Sequence, residues 1–490
     1  MTYIQSFPLV IILVLFLSAI LIPLIKKDYI VKAISLISMG TSIILAAFTL
    51  FYVSQKGQFL YRIGHWDAPW GIEFYIGYIE AIMAVLFTVV CFLIIWYSVY
   101  VIHKDIKEHR ISFYYLLINI LIASLLGIIF SNDLFNSFVF IELSTLASCG
   151  IVAVKDKKEN IKATLKYLIL STLGSGLVLM GIAFLYSITG NLNMTFAHKE
   201  IVLVYKEYQQ TILITLGLFT VGLGVKSAMF PLHIWLPDAH SSAPSTSSAI
   251  LSALVLKGYI LLLIKILYRV FGLGIINEFP ILDLILILGA AGMIMGSVLA
   301  IIQKDIKRVI AYSSVAQMGY IFLGIGIGNK LGLVMAIFHI ISHAVTKSML
   351  FLTVGAMIEQ TGHRSLVDLK GIGKEMPVTL GLFTLGALSM IGIPLLPGFI
   401  SKWYLALASI EGQKSLMIGV VLLSSLLNAL YYFPIVINAF FGEENLDNKT
   451  YSSKHEPLKH LIPVFLLLAA MIYAGIAANS IMDMISKGLT

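Results

Sequence analysis

Cysteine and charge are both scarce in this sequence: two of 490 residues are cysteine and 12% are charged. Cys91 and Cys149 each lie inside an apolar run and share no CxxC spacing, which argues against iron–sulfur ligation and against a disulfide framework. With 59% hydrophobic residues and a mean hydropathy of +0.96, the chain holds more apolar side chain than a water-soluble core can hide, and it reads as a membrane protein. Its net charge of +8 is not gathered into a basic tract, so nucleic acid is not an expected partner. The lysines and arginines sit instead in short loops, where they act as orientation signals. The first apolar run begins at Phe7 without a basic leader or a small-residue cleavage site, so it is expected to be a retained span and not a signal peptide.

What is abundant is the long apolar run. A hydrocarbon core about 30 Å thick needs roughly 20 apolar residues per helical span, and runs of that length without alternation exclude a closed barrel. The expected fold is an all-α polytopic membrane protein, one membrane domain over 1–490. Fourteen spans are predicted: 7–25, 33–53, 79–102, 111–130, 133–154, 162–188, 210–229, 245–268, 281–302, 307–328, 331–357, 377–410, 415–441 and 460–486. The stretch 377–410 is too long for one straight helix and is interrupted by Pro394 and Pro397-Gly398. With the N-terminus outside, the inside loops, including the one with Lys449, Lys454 and Lys459, carry 19 Lys and Arg against 8 outside. That bias predicts both termini outside.

Six lysines fall inside the predicted spans: Lys166, Lys226, Lys257, Lys265, Lys347 and Lys402. Lys166 and Lys265 lie near span ends, where an ammonium can snorkel to the interface. The other four lie deeper or beside a helix break, where a charge costs several kcal/mol without a partner or water, so a functional role is expected for them. Glu142 is the carboxylate in the middle of a span. Paired with a lysine such as Lys226 it makes a coupled site: separating the two lets the lysine shed its proton. A static ion pair is the alternative. Glu80, at the start of its span, is explained by an interface position.

His339, His343 and Lys347 are spaced i, i+4, i+8 and share one helix face over about 12 Å, which suits a proton wire, with Ser342, Thr346 and Ser348 nearby to hold water. Haem or metal ligation and plain interhelical hydrogen bonding are the rival readings. The loop from Phe230 to Pro244 offers His233, His240 and Asp238 as a weak metal set, but a structural cap on the helix starting near Ser245 explains its prolines and serines equally well. Two helices broken beside a lysine, at Lys226 and at Pro394-Gly398 before Lys402, hint at an internal duplication around a translocation site.

These residues resemble a known family. The run Lys226-Ser-Ala-Met-Phe-Pro-Leu-His-Ile-Trp-Leu-Pro-Asp-Ala-His240, with Lys257 after it, is similar to the antiporter-like subunits of respiratory complex I, Mrp-type sodium/proton antiporters and membrane-bound hydrogenases. Phe138 to Leu143 resembles the family's glutamate helix, Lys304 to Gly319 its tenth helix, and Gly392 to Lys402 its broken twelfth; the similarity runs from about 75 to 440. The resemblance implies fourteen helices containing two inverted five-helix repeats, here 111–270 and 281–441, after N-terminal helices over 1–105 and before a C-terminal helix over 460–486. It implies Glu142 and Lys226 as the coupled input pair, Lys257 as the bridge, His339, His343 and Lys347 as the central relay, and Lys402 as the terminal donor on the outlet side. Some relatives have glutamate where Lys402 stands.

The function so implied is translocation of H+ by a subunit of a multisubunit redox complex in a prokaryotic inner membrane. The subunit has no redox centre, cofactor or metal of its own, and its partners are further antiporter-like subunits and a redox module. The Leu-Pro-Asp-Ala-His240 form and the short tail after the fourteenth span lean towards a membrane-bound hydrogenase or related ferredoxin-linked complex, with complex I and Mrp assemblies as alternatives. A haem or quinone electron-transfer subunit and an autonomous carrier for an organic solute are the rival classes. Whether Na+ is also exchanged is open, because sodium sites use oxygen ligands that need no motif.

Overall fold

Lipid gives backbone groups no partner outside their own segment, so each long apolar run folds as a helix. The computed structural model describes residues 3–442, 456 and 458–489; Lys449 and Lys454 lie outside the described residues. The N-terminal helices are α1 (Phe7–Leu21), α2 (Asp28–Lys56) and α3 (Tyr78–Asp105). Then come α4 (Ile111–Phe130), α5 (Leu134–Ala153), α6 (Lys158–Thr189), α7 (Met194–Val204), α8 (Gln209–Lys226) and α9 (Leu236–Ser242). A long helix, α10, covers Ser245–Phe271. It is followed by α11 (Ile281–Ile301), α12 (Ile306–Gly326), α13 (Lys330–Thr361), α14 (Pro377–Ile391), α15 (Pro397–Glu411), α16 (Leu416–Phe441), α17 (Leu458–Ile476) and α18 (Ala478–Lys487).

Among the described residues, twelve helices are long and apolar enough to cross a membrane. The remaining expected spans, 210–229 and 377–410, are the interrupted ones: α8 stops at Lys226 and resumes as α9 after a turn, and α14 is separated from α15 at Gly392. The expected span 460–486 is two helices. Its apolar part ends with α17, and α18 is amphipathic, burying Met482 and Ile485 while Asp483 and Lys487 lie on its polar side. Two elements in the connections between spans carry too weak a pattern to be read from sequence. One is a hairpin of β1 (Phe59–Arg62) and β2 (Glu73–Ile76), with Phe59 opposite Ile76. The other is α7, capped by Asn193 and burying Met194, Ala197 and Ile201 along one face.

Helix ends follow local chemistry. Asp133, Asp305 and Asn329 accept from backbone N–H groups at the starts of α5, α12 and α13, and left-handed glycines Gly190 and Gly362 end α6 and α13. Burial divides the bundle: the apolar windows of α10 and α13 are wholly buried and that of α12 is 94% buried, whereas α2 and α16 bury a third. The most enclosed helices are therefore those that carry Lys257, His339, His343 and Lys347. Ion pairs tie one face together, with Lys104 on Glu359, Lys155 on Asp105 and Arg364 on Asp305. The opposite face has Arg269 on Glu80 and Lys414 on Asp283.

Candidate functional site

The break after α8 sets the first lysine. Ala228 takes a left-handed backbone (φ 55°), which the helix cannot continue through. The indole N–H of Trp235 then folds back to donate to the Val225 carbonyl at 2.9 Å, with its ring stacked 4.2 Å from Tyr167. Lys226, at the last helical position, is fully buried. Its Nζ donates to Thr145 Oγ1 at 2.7 Å and Ser171 Oγ at 3.0 Å, and lies 5.3 Å from the Tyr259 ring centre. Glu142 stands one turn before Thr145 on α5; its Oε1 is buried without a hydrogen-bond partner, and it acts on Lys226 through space. No ion pair joins Glu142 and Lys226 among the described residues; the Lys226 ammonium is taken instead by the hydroxyls of Thr145 and Ser171.

Lys257 lies in α10 just past a π turn at Leu251–Val255. Widening a helix by one residue per turn turns carbonyls away from their usual donors, and such turns recur at functional sites. Here the Ser252 carbonyl accepts from the Lys257 ammonium, which also meets His343 Nδ1 at 2.5 Å. His343 and His339 face each other with ring centres 6.2 Å apart. His339 Nδ1 is 2.8 Å from Ser401 Oγ, on the helix that carries Lys402. The Nε2 atoms of both histidines are buried and have no protein partner. Lys402 donates to the Met390 and Ile391 carbonyls at 2.7 and 2.9 Å and lies 4.7 Å from the Tyr320 ring centre, itself 5.5 Å from His339. The structure thus joins Lys257, His343, His339 and, through Ser401 and Tyr320, Lys402 in one row. Lys347 belongs to a side branch: its ammonium goes to the Ile310 carbonyl at 2.8 Å and to Ser313, which meets Tyr432.

The ammonium groups share a mode of solvation. Lys402 caps the carbonyl end of α14, Lys257 takes a carbonyl in the π turn and Lys347 one of α12. The negative ends of backbone dipoles therefore stand in for counter-carboxylates. The second break is built for this: Gly392 is left-handed (φ 95°), and a Cβ there would sit 3.1 Å from the Lys402 side chain.

In the loop before α10, Asp238 is taken by Lys166 at 2.7 Å and by Arg308. His233 stacks on Phe230 and His240 on Phe351. His240 is fully buried with neither ring nitrogen bonded. Lys265 does not reach the surface as a snorkelling lysine would; it is 8% exposed, its ammonium held by carbonyls at the end of α4. Sequence reading missed the hydroxyls of Thr145, Ser171, Tyr259, Ser313 and Ser401. Their available signal was a hydroxyl about one turn from a buried charge, as Thr145 is from Glu142, or beside one, as Ser401 is beside Lys402.

Residues 131–428, which contain every member of this row, match the family described as NADH:quinone oxidoreductase/Mrp antiporter, TM. The chain belongs to this family. Within the NADH:quinone oxidoreductase/Mrp antiporter family it is similar to NADH-quinone oxidoreductase subunit N of Desulforudis audaxviator, 39% identical over 78% of this chain and 75% of that one. It is also 30% identical to the D-type Na(+)/H(+) antiporter protein of Alkalihalophilus pseudofirmus over 94% of both chains. Among solved structures, a chain of the archaeal membrane-bound sulfane sulfur reductase superposes with a TM-score of 0.90 at 28% identity, covering 99% of this chain and 97% of that one. A chain of the Mrp complex from Dietzia sp. DQ12-45-1b shares the fold, with a TM-score of 0.89 at 21% identity, covering 100% and 97%. The protein is an antiporter-like membrane subunit of this family.

Proposed function

We propose that this subunit conducts protons through the row Lys226, Lys257, His343, His339 and Lys402, with Glu142 as the charge that loads Lys226 and Lys347 as a side store. The observation that carries this reading is the buried series in which Lys257 meets His343, the His343 and His339 rings stand 6.2 Å apart, and His339 meets Ser401 beside Lys402. Imidazoles pass protons by accepting on one nitrogen and releasing from the other. An ammonium held by carbonyls and hydroxyls, with no carboxylate bonded to it, can lose its proton without stranding a partner charge. A Lys226 ammonium held by Thr145 and Ser171, and not ion-paired to Glu142, suits a pair that is alternately closed and opened.

The proposal extends to context. The chain sits in a prokaryotic inner membrane with fourteen crossings, both termini outside, and two inverted repeats over 111–270 and 281–441, each containing a helix broken beside a lysine. Further antiporter-like subunits and a redox module are its partners in a multisubunit complex. The subunit N relative and the sulfane sulfur reductase neighbour favour a redox-linked assembly. The D-type antiporter relative favours exchange of Na+ for H+ as the second reading. None of these relatives carries a hydrogenase name, so the sequence-based lean towards a hydrogenase has no support from them.

The test is ion pumping by the intact complex in sealed vesicles, following pH and Na+ gradients in wild type, Lys226→Ala and Glu142→Gln. A gradient reduced more than tenfold while redox turnover continues is the expected result. An unchanged gradient in both variants would make the pair structural and the proposal wrong.

A further inference from the structure

A second group of buried charges lies on the face where α3 begins, unused by the row. Lys265 follows Lys257 by eight residues of α10, about 12 Å along the axis. Its ammonium donates to the Ile129 and Ser131 carbonyls at 2.7 and 2.6 Å, at the end of α4. One turn further, Arg269 pairs with Glu80 at 2.8 Å and lies 3.8 Å from the Tyr75 ring centre. Glu80 is only 3% exposed, while Arg269 keeps 22% of its side chain accessible and its Nη1 is without a hydrogen-bond partner. These groups and His198, which is tied to the Val270 carbonyl, line a cavity of about 280 Å³ together with Ile79 and Ile264.

A buried ion pair of this kind seldom adds stability over apolar packing of the same volume. Its arrangement does, however, suit a gate. Glu80 has two cations within electrostatic reach, Arg269, which it binds, and Lys265. If Arg269 swings into solution, Glu80 is left with Lys265 and the cavity is open to water. We propose that this cavity is an aqueous vestibule giving Lys265 proton exchange with the outer solution, that the Glu80–Arg269 pair is its gate, and that Lys265 connects it to Lys257 along α10. The step is a proton transfer alone: Lys265 Nζ–H passes its proton to cavity water, and the neutral amine regains one from the Lys257 side through water. This rests on the proton-conducting reading and adds an outward route in the first half of the chain, separate from Lys402.

The test uses the assembled complex in sealed membranes of known sidedness. Ile79→Cys and, separately, Ile264→Cys are treated with a membrane-impermeant cationic thiosulfonate on either side. The native Cys91 and Cys149 are buried and supply the background. Labelling from the outer side, several-fold faster with Arg269→Gln added, is expected. So is a gradient reduced at least fivefold by Lys265→Gln with redox turnover retained, and not recovered by Lys265→Arg, whose guanidinium keeps the charge but cannot shed a proton; recovery by Lys265→Arg would make Lys265 a fixed charge and overturn the route. Absence of outside labelling at both positions, or labelling from the inside only, overturns the vestibule. An unchanged gradient in Lys265→Gln overturns the route even where the cavity is open. If Lys226→Ala still abolishes the gradient in either case, this inference alone has failed; if Lys226→Ala pumps normally, the parent reading has failed.

Discussion

The buried ammonium groups of Lys226, Lys265, Lys347 and Lys402 are stabilised chiefly by oxygen atoms that carry no formal charge. Hydrogen bonds from a charged donor contribute about 1.5–3 kcal/mol each, and the two to three made by Lys226, Lys265 and Lys402 are of the size needed to offset burial of the ammonium. The neutral amine keeps part of those contacts, so removing the charge costs the fold little. Lys347→Met, close in volume, is therefore expected to unfold within a few degrees of wild type by thermal denaturation in detergent while slowing proton transfer. A drop of more than 15 °C would mean that Lys347 is a structural strut. Ser401 is the hydroxyl between His339 and the Lys402 helix, so Ser401→Ala should cut vesicle acidification several-fold and Ser401→Thr should restore most of it. Equal rates in all three chains would remove Ser401 from the row.

Among elements, the two breaks decide where charge can be held. Gly398 begins α15 so close to α14 that a Cβ would stand 1.9 Å from the Ser389 carbonyl oxygen. Gly398→Ala must push the helices apart, at a cost of about 3 kcal/mol or more, which should appear as loss of assembled protein or a markedly lower unfolding temperature. At the first break Trp235→Phe keeps the stack on Tyr167 but leaves the Val225 carbonyl with weaker backbone partners such as the Ala228 N–H at 3.3 Å, a loss of about 1 kcal/mol. The measurable sign is faster proteolysis or hydrogen exchange across 225–235. If exchange there is unchanged, the indole bond is not what closes the turn.

These breaks show what the sequence made legible. Pro394 and Pro397-Gly398, and the Pro231 that follows Lys226, announced interruptions, because proline removes a helical hydrogen bond and disfavours helix in the residue before it. The π turn of α10 gave no such notice: Leu251–Val255 is ordinary helix composition, yet it leaves the Ser252 carbonyl to accept from Lys257. The Glu80–Arg269 pair was equally hidden, since its members are 189 positions apart in the chain and each alone resembles an interfacial charge. The i, i+4, i+8 spacing of His339, His343 and Lys347 placed them on one helix, but could not show that Lys257 would dock on His343 or that Lys347 would turn to α12.

For the molecule as a whole, burial is concentrated in α10, α12 and α13, while α2 and α16 bury only a third of their apolar windows. Those outer helices meet lipid or neighbouring subunits, so apolar substitutions such as Leu422→Ala, at a side chain 66% exposed, should alter assembly more than folding. Native gels of the complex distinguish this from simple destabilisation, in which the isolated subunit would be lost as well. The two ion-paired faces also fix a testable orientation: a cysteine in place of Lys155 should react with impermeant reagent from the inside and one in place of Lys330 from the outside. The reverse pattern would invert the topology and relocate the proposed vestibule to the cytoplasm.

Carbonyl solvation of the lysines has a spectroscopic consequence. If Lys402 gives up its proton as proposed, the Met390 and Ile391 C=O groups lose a cationic donor, and their stretching frequencies should rise. Carbon-13 placed in those two carbonyls would separate their bands from the rest of the helical amide absorption. Light- or redox-triggered infrared difference spectra could then time the passage of a proton through the second half of the subunit, with the backbone itself as the indicator.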